Sequence, residues 1–449
     1  MRKVVLALFV GFLLLQGCKK TEEITIQSGT VEEFSVAVDP TMGIITPKAL
    51  IYLPPNYDPN GKYPVIYLLH GFGGDYKTYV YFNGVHEILD YMISTGQMDP
   101  VIVVMPDGRN LVGGSFYTNS HLYIPSTNSY DSTLIPTVFG KYETFIMDSL
   151  MAQVERTYPV DTTRRAIMGL SMGSYGSSKL WLKYPGKFVA VALHSGPLAF
   201  DSLINVDIID SMLSDFDDGR LPLWIKDYLG YERRWATLGN GLSAAFSPRV
   251  VAYRDPSDWR VIENCFYSPN GLDSINGEVL LDTITIRGMK LCVGVRFPFT
   301  YDTAGKPLAS CIDPALPDNF TKRALTETYC TWKAFHDPQT LIDTALSRDA
   351  AGFQSTKVYI DVGKRDELTL LAHNRGFKQT LLDKGLAREN LVYVEFDGAV
   401  GYPADMFPGL HSNWLYIRLG KAFTFINRVF KGEDIKAGDY DQAEGNDYE

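Results

Sequence analysis

The sequence predicts an α/β fold, a mostly parallel sheet flanked by helices and carrying one large insertion. Three observations carry this reading. Apolar runs of strand length occur at residues 64–69 (PVIYLL), 189–194 (VAVALH) and 357–363 (KVYIDVG). A serine between glycines, GLSMG at 169–173, lies where a strand-like segment passes into a helical pattern. The last two runs are separated by roughly 150 residues, 201–350, enough to bury a core of its own.

The elements follow in order. Residues 64–69 have the continuous apolar character of a strand buried on both faces, and HGFGG at 70–74 follows as a glycine-rich turn. Residues 164–168 (RRAIM) form the strand that leads into GLSMG. A serine there sits on a sharp strand-to-helix turn, where small neighbours relieve crowding and the hydroxyl is pushed out at the carboxyl end of the sheet. Residues 174–185 place apolar side chains at helical spacing and stop at Pro185-Gly186. Residues 189–196 are the next strand, so strand, turn, helix and strand make a βαβ unit, the building block of parallel sheets.

Ser171 in that setting is a candidate nucleophile, and a nucleophilic serine requires a base that is itself oriented by a carboxylate. Of the seven histidines, His86, His121 and His336 have no matching surroundings, His373 lies in a helix-like stretch, and His194 ends a strand as a packed or hydrogen-bonded residue. His70 reads as a structural turn residue. His411 lies in a loop after the last strand, ahead of a long amphipathic helix that starts near Trp414, and is the candidate base. Asp366 lies just past the strand at 357–363, with Asp361 inside that strand and Glu367 next door as competitors. The order Ser171, Asp366, His411 differs from the trypsin-like and subtilisin-like orders. Backbone N–H groups of the 70–73 turn and of Met172 are the candidate donors to a developing oxyanion.

These stretches, with ALIYLPPNYD at 49–58, VVMPDG at 103–108 and GLHSNW at 409–414, resemble the Putative esterase family of α/β-hydrolases, which includes esterase D, the feruloyl and acetyl-xylan esterases, and the mycolyltransferases. The resemblance covers about residues 33–200 and 351–430. It implies an α/β-hydrolase fold with Ser171 as nucleophile, His411 as base, Asp366 as orienting acid and the N–H groups of Phe72 and Met172 as oxyanion donors. It implies no cofactor and an ester substrate, polysaccharide-linked in the cell-wall esterases. An acyltransferase with the same triad and a non-catalytic glycan-binding surface lipoprotein are the alternatives. The 201–350 stretch departs from the family, which has a short excursion there. Leaving and returning at the carboxyl edge of the sheet, it is expected to overhang Ser171 as a cap. Its aromatic residues, Trp224, Trp235, Trp259 and Trp332 among them, are read mainly as core. Residues 278–286 are expected as a strand and 222–229 as a short helix.

The first residues resemble a bacterial lipoprotein signal: Arg2-Lys3, an apolar run from 4 to 15 too short to span a bilayer, and LQGC ending at Cys18. That resemblance implies cleavage before Cys18, lipidation of that cysteine, and a lipid-anchored position in the bacterial cell envelope, at the outer membrane, with the membrane engaged only through the lipid. Cys265, Cys292, Cys311 and Cys330 all fall in the insertion. In an oxidising compartment they are candidates for two disulfides, with three pairings open, and buried free thiols are the alternative. No CxxC, HExxH or clustered His/Asp pattern marks a metal site. A net charge of −10 disfavours nucleic acid as a partner. The expected organisation is a signal at 1–17, a tether at 18–32, a core split between 33–200 and 351–432, a cap at 201–350, and an acidic, disordered tail at 433–449.

Overall fold

Within each apolar run, alternate side chains face opposite sides of the sheet. In strand β3 (Tyr63–Leu69), Val65, Tyr67 and Leu69 join one buried cluster with Ile51, Ile167, Val191 and Ile360. Ile66 and Leu68 join a second cluster with Val103, Met168, Ala192 and Tyr359. Both faces are therefore covered, which is why these strands read as unbroken apolar runs. The structure, a computed structural model, describes residues 25–435 except 111, 121–138, 205–206, 212–233, 253–277, 287–288, 301–302, 304 and 398–408.

The remaining strands of the main sheet are β1 (Thr30–Ser35), β2 (Lys48–Leu53), β4 (Ile102–Pro106), β5 (Val160–Leu170), β6 (Ala190–His194), β10 (Lys357–Gly363) and β11 (Leu391–Phe396). They lie in the order β1-β2-β4-β3-β5-β6-β10-β11. β2 is antiparallel to both neighbours, and every other pairing is parallel. The register sets Leu69 opposite Gly169, Leu170 opposite His194, and His194 opposite Asp361, so the carboxyl ends of the central strands form one edge.

Helices α1 (Val85–Ser94) and α7 (Leu415–Lys431) cover the Ile66 face. In α7 the buried Leu415, Leu419, Ala422, Phe423, Ile426 and Phe430 recur at helical spacing, and each large apolar group contributes about 1.5–3 kcal/mol gross on burial. Gly432, in the left-handed conformation at φ 69°, closes the helix by returning its N–H to the carbonyls of Arg428 and Val429. Helices α2 (Met172–Lys183), α5 (Pro338–Ser355) and α6 (Leu370–Asp383) pack into the cluster on the other face. Trp181 of α2 stacks on Phe353 of α5 at 5.4 Å, so the end of the 201–350 stretch belongs to the layer flanking the sheet.

Earlier in that stretch come helix α3 (Arg234–Phe246), helix α4 (Glu327–His336), and a three-stranded antiparallel sheet of β7 (Pro248–Ala252), β9 (Met289–Arg296) and β8 (Glu278–Ile286), in the order β7-β9-β8. The strand expected at 278–286 is β8; the helix expected at 222–229 lies outside the described residues. Cys311 and Cys330 form a disulfide, with Cα atoms 5.5 Å apart. Cys18, Cys265 and the side chain of Cys292 lie outside the described residues, as do the signal segment and the tail from 436 onward. The expected tether is ordered at its end: β1 starts at Thr30, and the Gly29 N–H donates to the Asp90 carboxylate at 2.8 Å. Among the described residues no helix is long and apolar enough to cross a membrane.

Candidate active site

Ser171 joins β5 to α2 with φ 58° and ψ −118°, a conformation that costs a non-glycine residue about 1–3 kcal/mol and persists only where its surroundings enforce it. The enforcement is visible. The Ser171 N–H donates to the His194 carbonyl at 2.8 Å, and the Tyr175 N–H donates to the Ser171 carbonyl at 3.0 Å, opening the helix. The Tyr79 hydroxyl donates to the Leu69 carbonyl and accepts from the Leu170 N–H, tying the ends of β3 and β5 together. Both glycines are obligatory here. A β-carbon at Gly169 would lie 2.5 Å from the Leu69 carbonyl oxygen; one at Gly173 would overlap that oxygen and lie 2.6 Å from the Leu69 carbonyl carbon.

The acid and the base meet where a loop crosses the ends of β10 and β11. Gly363 and Gly409 permit the crossing, since a β-carbon at Gly363 would lie 2.6 Å from the Gly409 carbonyl carbon. The Arg365 N–H donates to the Gly409 carbonyl at 3.0 Å. His411 then points Nδ1 at Asp366 Oδ2, 2.9 Å away. Asp366 Oδ1 accepts from the Leu368 N–H at 3.0 Å. Burial alone would raise the Asp366 carboxyl, but the hydrogen bond and charge interaction with His411 outweigh it and hold the group below its ordinary value. An ionised Asp366 makes Nδ1 the protonated nitrogen of His411 and leaves Nε2 as the acceptor. Glu367, the neighbouring carboxylate, takes a separate part: its Oε2 accepts the His411 N–H at 2.9 Å. His194 and Asp361 bond each other at 2.8 Å instead of joining this pair.

The 70–74 turn runs beside the serine, since a β-carbon on Gly71 would lie 3.5 Å from Ser171 Cβ. His70 fixes the turn. Its Nδ1–H donates to the Gly71 carbonyl and its Nε2 accepts from the Gly108 N–H, both at 2.8 Å. Burial pushes His70 down to about 4, so the ring is neutral near pH 7 and keeps this donor–acceptor pattern. The Tyr117 hydroxyl holds the His70 carbonyl at 3.0 Å. Met172 is the first residue of α2, so its N–H has no intrahelical acceptor and lies at the positive end of the helix dipole. The Phe72 side chain is buried against Phe116, ring centres 5.9 Å apart, and under Gly241 of α3.

Ser171 lines a narrow cleft with mainly apolar walls. Phe72 and Phe116 form one side; Trp235, Leu238 and Leu242, on one face of α3, form another; Leu368, Leu370 and His373 close it. His373 is buried, and among the described residues its Nδ1 has no hydrogen-bond partner. Burial pushes it down to about 4, so a neutral acceptor lies in an apolar wall. Among the described residues no group of three or more His, Cys, Asp or Glu could hold a metal ion.

The family described as "Putative esterase" matches residues 46–413. The chain belongs to this family. Over 191 residues the chain is 31% identical to Esterase Rv1288 of Mycobacterium tuberculosis, a match covering 40% of this chain and 37% of that protein. It is 29% identical over 153 residues to the S-formylglutathione hydrolase of Bos taurus, covering 32% of this chain and 50% of that protein. It is 35% identical over 140 residues to Endo-1,4-beta-xylanase Y of Acetivibrio thermocellus, covering 29% and 11%. The chain thus spans well under two thirds of the length of these relatives. Among solved structures, a ferulic acid esterase aligns over 90% of this chain and 99% of its own, at TM-score 0.47 and 17% identity. The mostly parallel sheet, with its glycine-flanked serine at the end of a central strand, is an α/β-hydrolase fold.

Proposed function

We propose that this esterase hydrolyses carboxylic esters through a Ser171–His411–Asp366 triad and an acyl-enzyme. The observation that carries the reading is the 2.9 Å bond from His411 Nδ1 to the ionised Asp366, made at the same sheet edge that presents Ser171 on its strained turn. In the mechanism, His411 Nε2 takes the Ser171 hydroxyl proton as the oxygen attacks the ester carbonyl. The Phe72 and Met172 N–H groups stabilise the oxyanion, and His411 returns the proton to the departing alcohol. A water, deprotonated by the same imidazole, then attacks the acyl-enzyme and releases the acid and the free serine. Asp366 holds the tautomer throughout. No cofactor enters.

The cleft is the acyl site in this reading, because its lining is apolar and it includes Ser171. Helix α3 roofs it, which supports the insertion's role as a cap. A carbohydrate-linked ester is the substrate class, supported by the matched stretch of Endo-1,4-beta-xylanase Y and by the lipoprotein-like N-terminus, which would tether the enzyme in the cell envelope through Cys18. The test is turnover of p-nitrophenyl acetate and butyrate, methyl ferulate and acetylated xylan by the wild type and Ser171→Ala, with and without an added sugar acceptor. Turnover abolished in the variant supports the triad. Acylated sugar in place of free acid would make the enzyme an acyltransferase, and turnover retained by Ser171→Ala would refute the reading.

A further inference from the structure

The nucleophile and the base stand far apart in the chain, yet one buried series of hydrogen bonds joins their backbones. Arg418, in the first turn of α7 and only 4% exposed, is its hub. Its Nη1 donates to the His411 carbonyl at 2.9 Å. Its Nε and Nη2 donate to Asp361 Oδ1 at 2.9 and 2.6 Å, and Nη2 also donates to Ser195 Oγ at 3.0 Å. The other oxygen of Asp361 accepts from His194 Nδ1–H at 2.8 Å. The His194 carbonyl in turn accepts the Ser171 N–H at 2.8 Å.

Each link is short, and the central ones are charge-assisted. Burial would raise the Asp361 carboxyl, but the Arg418 charge and then His194 outweigh it and hold the group well below the ordinary carboxylate range. A buried ion pair is weak ground for a stability role, because apolar replacements of similar volume serve stability as well or better. A rigid five-donor fork does something an apolar group cannot: it fixes three acceptors in one plane. One of those acceptors is the carbonyl of the base itself. With Glu367 on the His411 N–H and Arg418 on its carbonyl, the backbone of that residue is held on both sides.

We propose that Arg418, with Asp361 and His194, is a positioning unit that sets His411 relative to Ser171. This rests on His411 being the base. The unit touches no substrate, so it acts on kcat and leaves the ester's binding alone. Arg418→Lys keeps a cation beside Asp361, but an ammonium cannot also hold the His411 carbonyl in the same plane. The variant is expected to lose about 10- to 100-fold in kcat, with KM within about twofold of wild type.

The experiment measures kcat and KM on p-nitrophenyl acetate for the wild type, Arg418→Lys, Arg418→Ala, Ser195→Ala and Ser171→Ala, with a thermal melt of each. Millimolar guanidinium is expected to restore part of the Arg418→Ala rate without changing KM, a response that a merely structural arginine would not give. Should Arg418→Ala fail to fold, Ser195→Ala removes one bond of the same guanidinium and is expected to lower kcat severalfold at unchanged KM. Wild-type kcat in Arg418→Lys and Ser195→Ala, with only the melting temperature lowered, would overturn the proposal while Ser171→Ala stays inactive. Full turnover by Ser171→Ala would instead overturn the triad reading, and the positioning unit with it.

Discussion

Gly173→Ala tests the geometry of the strand-to-helix turn directly. The added β-carbon would overlap the Leu69 carbonyl oxygen and lie 2.6 Å from the Leu69 carbonyl carbon and 3.0 Å from the His70 oxygen. Ordinary carbon–carbon contacts sit near 3.5–4.0 Å, so the first turn of α2 must withdraw from the end of β3 by on the order of 1 Å. The 70–74 turn is pinned by His70 and Tyr117 and cannot follow. Ser171 and the Met172 N–H therefore move away from the Phe72 N–H. A misplacement of about 1 Å at a reacting centre costs roughly 100-fold in rate, and the overpacking costs about 1–3 kcal/mol of stability. Gly420→Ala is the matched control. Nothing lies within 4 Å of its β-carbon position in the interior of α7, so the change should stabilise by about 0.8–1 kcal/mol and leave kcat alone. The assay is kcat and KM on p-nitrophenyl acetate beside thermal melts. Wild-type kcat in Gly173→Ala would show that the close approach of α2 to Leu69 does not set the position of Ser171.

Three further outcomes are expected. Asp366→Asn should lower kcat by about 10²–10⁴-fold with little change in KM, because an amide no longer enforces the Nδ1–H tautomer of His411; steady-state kinetics showing a loss below tenfold would contradict the assignment. Leu242→Trp should fill the cleft and reduce the butyrate-to-acetate ratio of kcat/KM by about tenfold or more, and an unchanged ratio would remove the cleft as the acyl site. His373 exchanges protons against stability. Its folded value, pushed down to about 4 by burial, lies below the unfolded value of about 6.5, so the folded state is fully favoured above about pH 6.5 and loses that advantage as pH falls toward 4. Denaturant melts should therefore show His373→Leu gaining on the wild type by about 2 kcal/mol between pH 7 and pH 5. The difference is read because buried Asp107 and Asp337, pushed up to about 6 and about 7, titrate in the opposite sense and mask the absolute trend. A constant gap across that range would contradict the buried, neutral state of His373.

The sheet was legible in the sequence because burial on both faces forces continuous apolar runs, and the serine turn because only glycine tolerates the approach to Leu69 that Gly169 and Gly173 make. Position drew attention to Asp366 and His411, one just past β10 and the other beyond β11, and the structure joins the two by a 2.9 Å bond. Arg418 was not identified, although a signal existed: it falls on the stripe of 415, 419 and 422, which is otherwise apolar and buried. A charge on a core-facing position requires a partner, and Asp361, set in the apolar run of β10, is the matching signal. Position past β10 favoured Asp366 over Glu367 as the partner of His411, but nothing in the sequence signalled that Glu367 would accept the His411 N–H, a bond set by which side of the His411 loop that carboxylate meets. The wall formed by Trp235, Leu238 and Leu242 was equally hidden, because two glycines in α3 dilute its helical pattern.

The most direct test of the central claim is covalent: treat the enzyme with a fluorophosphonate, map the modified residue by tandem mass spectrometry, and time the labelling in the wild type, Ser171→Ala and His411→Ala. Stoichiometric modification is expected at Ser171, with none in Ser171→Ala and labelling slowed by at least about 100-fold in His411→Ala. Modification at another residue, or unchanged labelling in His411→Ala, would contradict the central claim.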